Sequence, residues 1–412
     1  MIKNRGLLRG SFYFILCIGI ILIVSGCQKV PEDVKEKSKN YQRAEDVEET
    51  DIKYVSIDHI LDNQDEILNK TYQNLEFRDT VHLEQPESVS VLSLTVAESF
   101  GSKEKLGDIC HAFFGSDKYR EQIERIEDDP AWIGIVPGLF AFNRNEEDVD
   151  DAEVADNGFL ACSRKNAELN PVSVNGHPVV CHVDWNEHMD TVYEIDGEKV
   201  SIREAVDFVN DWCNKNWAVL EPEYTYQVKT VYICTAENKG NYYYFDVCKF
   251  YKGMPFDDVR FLGDDENYYI QNILTVVMEH KNELSFFVNE GNSYDVVKDE
   301  VHNDKLIGLE QAVLLAQEKM SGGQKYSIVD IDMKYVLKSD LTEEEVLQAH
   351  VSKESPGTPA TVRPVWTFVL DYQPIEVELE DEPWPRKMIY VDMVTGEVTY
   401  MESFSITQNA QF

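Results

Sequence analysis

Hydrophobic and polar positions divide the chain into three regions of different character. An uncharged apolar run extends from Phe12 to Val24, and a polar stretch rich in Lys, Glu, Asp, Asn and Gln occupies residues 28–50. From about residue 51 onward, apolar residues recur with helical and strand periods, which is typical of segments that bury one face in a core. The pattern predicts a folded part of roughly 360 residues behind a flexible polar tether.

Two helices in the second half of the chain are predicted by matching apolar faces. The first begins after Ser201, because a hydroxyl three residues before Glu204 has the spacing of a reciprocal helix cap. The same face returns at Leu309, 107 residues after Ile202. The predicted buried residues are Ile202, Ala205, Val206, Val209 and Cys213 in the first helix and Leu309, Ala312, Val313, Ala316 and Met320 in the second.

Strand-like segments follow each of these helices. Residues 224–251 predict a hairpin around a Glu-Asn-Lys-Gly-Asn turn, and residues 326–401 contain several further strand patterns. A helix packed on a small antiparallel sheet is therefore predicted twice, over 196–300 and over 301–412. The predicted fold class is α+β, with these tandem modules following an N-terminal α/β region, residues 51–195, whose type the pattern does not define.

The N-terminal region carries both helical and strand patterns. Helices are predicted over 57–69, over 103–114 and over 118–126, and a strand is predicted over 89–96. The second helix is expected to end at Gly115, because glycine readily adopts the left-handed conformation that follows many helices.

An acidic stretch at 146–156 contains seven acidic residues among eleven. We predict a solvated loop, because such a run of like charges repels itself and buries little. Oxygen ligands could alternatively bind calcium there, although the Asp-x-Asp-x-Asp-Gly order of a preformed loop is absent. The candidate ligands in that alternative are Glu146, Glu147, Asp148, Asp150 and Asp151.

The first 27 residues have the features of a bacterial export signal. Three positive charges precede the apolar run, which is too short to span a bilayer comfortably. The residues that close it are Val24, Ser25, Gly26 and Cys27.

This ending resembles the lipobox of bacterial lipoproteins. In that family a diacylglyceryl group is attached to the cysteine thiol and the signal is cut just before it, which implies a membrane anchor on Cys27. The alternative is an uncleaved membrane helix, but the polar residues Gln28 and Lys29 follow immediately. We therefore expect an extracytoplasmic, lipid-anchored protein.

The charged residues of the chain argue against one class of binding partner. The chain has 76 acidic and 38 basic side chains and a formal net charge of −38. Phosphate backbones would repel such a chain, so nucleic acid is not an expected partner.

The six cysteines of the folded part have apolar neighbours and are favoured as core thiols, although disulfides are possible outside the cytoplasm. They are Cys110, Cys162, Cys181, Cys213, Cys234 and Cys248.

Three strings in the C-terminal region carry a family resemblance: Ile307–Ala312, Arg363–Phe368 and Met388–Val398. Together they resemble a PepSY-type module and are similar to the extracellular part of YycI-type regulators. The resemblance implies a non-catalytic protein that binds or restrains a partner protein at the envelope, without a cofactor. This chain departs from those families in two ways: it is expected to be anchored by a lipid rather than by a helix, and it has an acidic insertion at 376–382. The whole chain resembles surface lipoproteins of clostridial-type bacteria.

Candidate chemistry is sparse. His182, Asp184 and His188 form the best metal-ligand candidates, since imidazole and carboxylate suit zinc, but no paired ligand spacing supports them. No nucleophile motif or glycine-rich phosphate loop occurs, so no catalytic residue is assigned.

The aromatic string from Tyr242 to Phe245 is predicted to lie in a strand, with every second aromatic residue in the core and the others on a binding face. Trp366 and Tyr390 are predicted to be core residues.

These observations favour a lipid-anchored binding or regulatory protein that acts on an envelope or membrane protein. An envelope hydrolase for glycans or peptides, with a carboxylate site that no motif identifies, is one alternative. A solute-binding lipoprotein is another, although that class predicts two α/β lobes around a hinge. The ligand itself is not defined by the sequence.

Overall fold

The described elements come from a computed structural model of the chain. The residues that it describes are 52–72, 74–77, 83–96, 102–126, 138–142, 151–155, 160–169, 171, 173–174, 176, 178–183, 188–218, 221–237, 239–257, 261–263, 268–270, 273–289, 293–320, 326–338, 360–371 and 387–402. The helices are α1 Gln64–Asn69, α2 Lys103–Phe114, α3 Ile202–Trp212 and α4 Leu309–Lys319, with 3-10 helices at Ile57–His59 and Asp117–Gln122 and a π-helical turn at Cys213–Trp217.

The strands follow in chain order. They are β1 Tyr54–Val55, β2 Leu75–Phe77, β3 Ser90–Val96, β4 Ile123–Ile126, β5 Gly138–Phe142, β6 Asp151–Ala155, β7 Leu160–Ser163, β8 Val179–His182, β9 Val192–Ile195, β10 Glu198–Ser201, β11 Thr225–Ala236, β12 Gly240–Tyr251, β13 Met254–Pro255, β14 Phe261–Gly263, β15 Tyr268–Ile270, β16 Ile273–Met278, β17 Phe286–Asn289, β18 Tyr294–Val301, β19 Leu306–Ile307, β20 Tyr326–Lys338, β21 Ala360–Asp371, β22 Lys387–Asp392 and β23 Val398–Glu402.

The first sheet joins ten of the described strands. Nine of them follow the order β4-β5-β6-β7-β17-β16-β12-β11-β8, and β13 pairs with β12. All of these pairings are antiparallel. Helix α3 packs against β11, and its buried side chains join the main core.

The second sheet joins nine of the described strands, in the order β18-β3-β21-β22-β23-β14-β15-β20-β2. An additional pairing between β20 and β21 closes six of them into a ring. Helix α4 packs on strands β21 to β23 from the main core side. An α-helix with its side chains is about 10 Å wide and does not fit inside a ring of six strands. Helix α4 therefore packs on the outside of the ring, and the sheet face opposite α4 lines the inside. A smaller apolar cluster occupies that face, including Val336, Val365 and Met401.

The fold is therefore mixed α+β, with mostly antiparallel sheets and few helices among the described residues. Both sheets take strands from the predicted N-terminal region 51–195 and from the predicted module 196–300. The predicted boundaries do not coincide with the division between the sheets. As a division into folding units, the three ranges stay a prediction.

The two predicted helix faces are confirmed. Every residue predicted for the buried face of α3 or α4 is at most 8% exposed. The reciprocal cap is present, because the Ser201 hydroxyl accepts from the Glu204 backbone N–H at 3.1 Å and Glu204 accepts from the Ser201 N–H at 2.9 Å. Helix α2 ends at Gly115, which has a φ of 67°. Trp366 and Tyr390 are buried, and Trp366 Nε1 donates to the Ile307 carbonyl at 2.8 Å.

Three local predictions in the N-terminal region were wrong in part. The helix predicted over 57–69 is a 3-10 helix followed by the short α1. The helix predicted over 118–126 is a 3-10 helix followed by β4, because this segment pairs with β5. Part of the acidic stretch is the strand β6, in which Ala152 and Val154 alternate with acidic residues and are buried. Of the calcium candidates, Asp151 begins this strand, and Glu146, Glu147, Asp148 and Asp150 lie outside the described residues.

Candidate functional site

Strand β8 is the terminal strand of the first sheet as described. It pairs with β11, with Val179 opposite Ile233 and His182 opposite Thr230. A second short segment lies beside the end of β11, where the Val174 N–H donates to the Thr235 carbonyl at 3.1 Å. Because the other side of β11 pairs with β12, both segments border the same side of this strand.

Three valines on this border are exposed. Val174 is 55% exposed, Val179 54% and Val180 48%. Successive residues of a strand point to opposite faces of the sheet, so the exposure of both Val179 and Val180 means that β8 is open on both faces. We refer to Val174, Val179 and Val180 as the valine edge.

An open groove of about 340 Å³ adjoins the valine edge. Val174 belongs to both features, which makes the exposed apolar surface continuous with the groove. The lining residues are Glu168, Ser173, Val174, Thr235, Ala236, Glu237 and Lys239.

The charge in and beside the groove is negative. Lys239 Nζ lies 2.6 Å from Glu279 Oε1 and 3.5 Å from Glu168 Oε1, and it also donates to the Asn166 carbonyl. Glu237 is exposed and forms no ion pair with any residue that the structure describes. Two carboxylates thus engage the single ammonium group, and the charge of Glu237 remains available.

The terminal strand of the second sheet, β18, is different in character. Lys298 and Glu300 form an ion pair on it, and a bulge between Val296 and Lys298 leaves Val297 without a partner residue in β3. Charged side chains and bulges at a sheet edge disfavour the addition of another strand. The sequence of β8, Val-Val-Cys-His, has no carboxylate or ammonium group and no bulge in its pairing with β11. Of these two edges, β8 is therefore the better suited to strand addition.

The predicted metal ligands are placed near this edge. His182 ends β8, and its Nδ1 lies 3.5 Å from the Thr230 hydroxyl. His188 lies in a turn with a φ of 62°, and Asp184 lies outside the described residues. Within the described part of the chain, no group of three or more His, Cys, Asp and Glu side chains could hold a metal ion. The metal hypothesis stays a prediction.

The six cysteines are all buried, as predicted for core thiols, and none of them forms a disulfide within the described residues. Burial raises the pKa of Cys110 to about 12. The pKa values of Cys162 and Cys213 are raised by the same cause. Thiols in such surroundings are poor nucleophiles, because the reactive thiolate is disfavoured.

The prediction of an exposed aromatic face between Tyr242 and Phe245 was wrong. All four residues are buried. Tyr243 and Phe245 join the main core, whereas Tyr242 and Tyr244 belong to a separate apolar cluster that also contains Val277. Both faces of β12 are therefore covered at this point.

Sequence reasoning missed a buried polar network next to the π-helical turn. Glu221 Oε2 accepts from Trp217 Nε1 at 2.9 Å and from the Tyr226 hydroxyl at 2.5 Å. Glu221 Oε1 lies 2.8 Å from Lys249 Nζ. Burial, followed by the charge of Glu221, raises the pKa of Tyr226 well above its ordinary value. The available signal was a lysine between Cys248 and Phe250 in a strand of mainly apolar and aromatic residues, because a lysine buried there requires a partner.

The lipidation motif Val24, Ser25, Gly26 and Cys27 lies outside the described residues, and anchoring stays a prediction. No helix in the described ranges is long and apolar enough to cross a bilayer.

No protein-family model matches this sequence, and no curated protein sequence matches it. Among solved structures, the chain is similar to the Bacillus megaterium YpeB C-terminal domain. The match has 10% sequence identity and a TM-score of 0.29, and it covers 74% of this chain and 98% of that one. A score this low transfers no property from that domain to this chain.

Proposed function

We propose that this chain is a lipid-anchored binding or regulatory protein of the cell envelope. In this proposal it contacts an envelope or membrane protein by accepting an extended segment of that partner alongside β8. The observation that carries the proposal is the valine edge, in which Val179 and Val180 are exposed on a terminal strand without carboxylate or ammonium groups and Val174 is exposed beside it. Strand addition gives affinity through main-chain hydrogen bonds, and side-chain pockets beside the edge give specificity.

The lipid has a physical role in this proposal. An anchor on Cys27 would confine the protein to the membrane plane, and the tether at 28–50 would let the folded part reach nearby proteins. Confinement raises the effective concentration toward a partner in the same membrane, so even a modest edge contact can be occupied. The acidic composition supports the need for a lipid, because a net charge of −38 is repelled by anionic headgroups.

We further propose that α3 with the first sheet and α4 with the second correspond to the two helix-plus-sheet modules of the PepSY type. Their support is the recurrence of one buried helix face on two mostly antiparallel sheets. In this arrangement the contact surface belongs to the first module, because β8 extends the sheet on which α3 packs.

The experiment is photo-crosslinking in living cells, with a photoreactive amino acid placed at Val180 of the full-length chain. Val301 on β18 is the matched control, because it is 54% exposed and also lies on a terminal strand. We expect one envelope or membrane protein to be captured from Val180 and not from Val301. Adducts that are the same at both positions, or adducts with wall polymer alone, would refute the proposal.

A further inference from the structure

We infer that the segment accepted by β8 carries a lysine or arginine about four residues from the apolar residue that packs beside Val179. This inference rests on the function proposed above and adds the chemical character of the partner. It follows from the position of the groove relative to β8 and from the charge around that groove.

The first step concerns the geometry along β11. Val179 lies opposite Ile233, whereas the groove is lined by Thr235, Ala236 and Glu237. An extended chain advances about 3.3 Å per residue, so the three residues from Ile233 to Ala236, where β11 ends, span roughly 10 Å, and Glu237 follows in the turn. An added strand that runs along this border therefore passes Ala236 after about three of its own residues and reaches the level of Glu237 after about four.

The second step concerns the apolar contact. A strand beside β8 places alternate side chains on each face of the sheet, next to Val179 on one face and Val180 on the other. β-Branched or other apolar residues at those positions would bury valine surface that is now exposed. The same strand brings its later residues past Val174 to the groove.

The third step concerns charge. Lys239 is already engaged by Glu279 and Glu168, so it has no charge left to attract a carboxylate. Glu237 is exposed on the rim, without an ion pair among the described residues. A basic side chain that enters the groove would therefore meet excess negative charge, and an acidic one would be repelled. A second copy of this chain, with its net charge of −38, is a poor occupant for the same reason.

The test uses the full-length chain in detergent and three blocked synthetic peptides with a fluorescent label. The first alternates valine and threonine and has a lysine four residues after its central valine. The second has glutamate in place of that lysine. The third keeps the lysine but is N-methylated at alternate residues, which removes the donors that strand pairing needs. Binding is followed by fluorescence anisotropy at low and at moderate ionic strength.

We expect the first peptide to bind on the order of tenfold more tightly than the second, and the third to bind more weakly than both. Glu237→Gln should reduce the preference for lysine about threefold, which is the scale of an exposed ion pair. Glu397→Gln is the matched control, because Glu397 is also exposed in a turn and forms no ion pair within the described ranges. It should leave the preference unchanged.

Equal binding of the lysine and glutamate peptides would overturn the inference, as would the absence of any binding up to millimolar peptide. Neither result bears on the proposed function, which the crosslinks from Val180 decide. Conversely, a partner captured at Val180 whose crosslinked segment contains no lysine or arginine would overturn the inference and leave the proposed function standing.

Discussion

The carboxylate of Glu221 and the ammonium group of Lys249 lie 2.8 Å apart, with side-chain exposures of 2% and 1%. Removing two charges from water is costly, and their attraction compensates only when hydrogen bonds satisfy the remaining polar atoms. Trp217 and Tyr226 supply two such bonds to Glu221, and the ring of Tyr224 lies 4.7 Å from the Lys249 ammonium. The ion pair therefore links Glu221, which follows the π-helical turn after α3, to Lys249 of strand β12.

Glu221→Gln should strongly destabilise the protein, because it leaves the Lys249 charge buried without its counterion. We expect a loss of about 3–5 kcal/mol in the free energy of unfolding, measured by urea denaturation. The double variant Glu221→Gln with Lys249→Met should recover most of this loss, because it removes both charges and keeps an oxygen that accepts from Trp217 and Tyr226. As a control, Lys298→Met at the exposed pair with Glu300 should change stability by less than about 1 kcal/mol. Equal losses at the two pairs would contradict a special role for the buried one.

Glu153 should make stability depend on pH near neutrality. It lies in β6 between Phe140 of β5 and Ala161 of β7. Burial, followed by the charge of Asp151, raises its pKa from 4.5 to about 7. The folded state therefore holds this proton more tightly than the unfolded chain does. Its contribution to stability is present below pH 4.5 and is lost as the pH rises to about 7.

Glu153→Gln removes this titration. At pH 8 the variant should be more stable than the wild type by up to about 3 kcal/mol, and at pH 4.5 the two should be similar. Urea midpoints at both pH values provide the measurement, with the exposed residue Glu121 changed to Gln as the control. If the stability of Glu153→Gln changed with pH as that of the wild type does, the raised pKa of Glu153 would be excluded as the cause of the pH dependence.

The buried cysteines should be unreactive toward alkylating reagents in the folded protein. We expect Cys110, Cys162 and Cys213 to resist a water-soluble alkylating reagent until urea unfolds the chain, because burial disfavours their thiolates. Mass spectrometry of the labelled peptides gives the result. Val301→Cys provides an exposed reference thiol in the same molecule. Labelling of Cys110 as fast as that reference would be inconsistent with its buried position.

Val180→Lys should separate binding from stability. A lysine on an edge strand blocks the approach of another strand, whereas a half-exposed position tolerates the change within about 0.5 kcal/mol. With the photoreactive residue moved to Val179, partner capture in cells should be lost in the Val180→Lys chain and retained in Val180→Thr. The urea midpoint should be nearly the same in both variants. Undiminished capture in the lysine variant would exclude β8 as the contact.

The sequence determined the features that depend on neighbouring residues. The capping residues Ser201 and Glu204, the end of α2 at Gly115 and the buried faces of α3 and α4 follow from the helical period and from local hydrogen bonds. The hairpin of β11 and β12 also follows, because its turn is short and flanked by strand-forming residues. The α+β class rests on these local signals.

Tertiary structure decided what depends on distant partners. Residues 123–126 form β4 rather than a helix because they pair with β5, and residues 151–155 form β6 despite their charge because they lie between two strands. The burial of Tyr242 and Tyr244 required apolar surface on the second face of β12. Val179 and Val180 of the valine edge are exposed because β8 is the terminal strand of the described sheet. Strand order in a sheet is set by pairing between residues far apart in the chain, and local sequence patterns do not encode it.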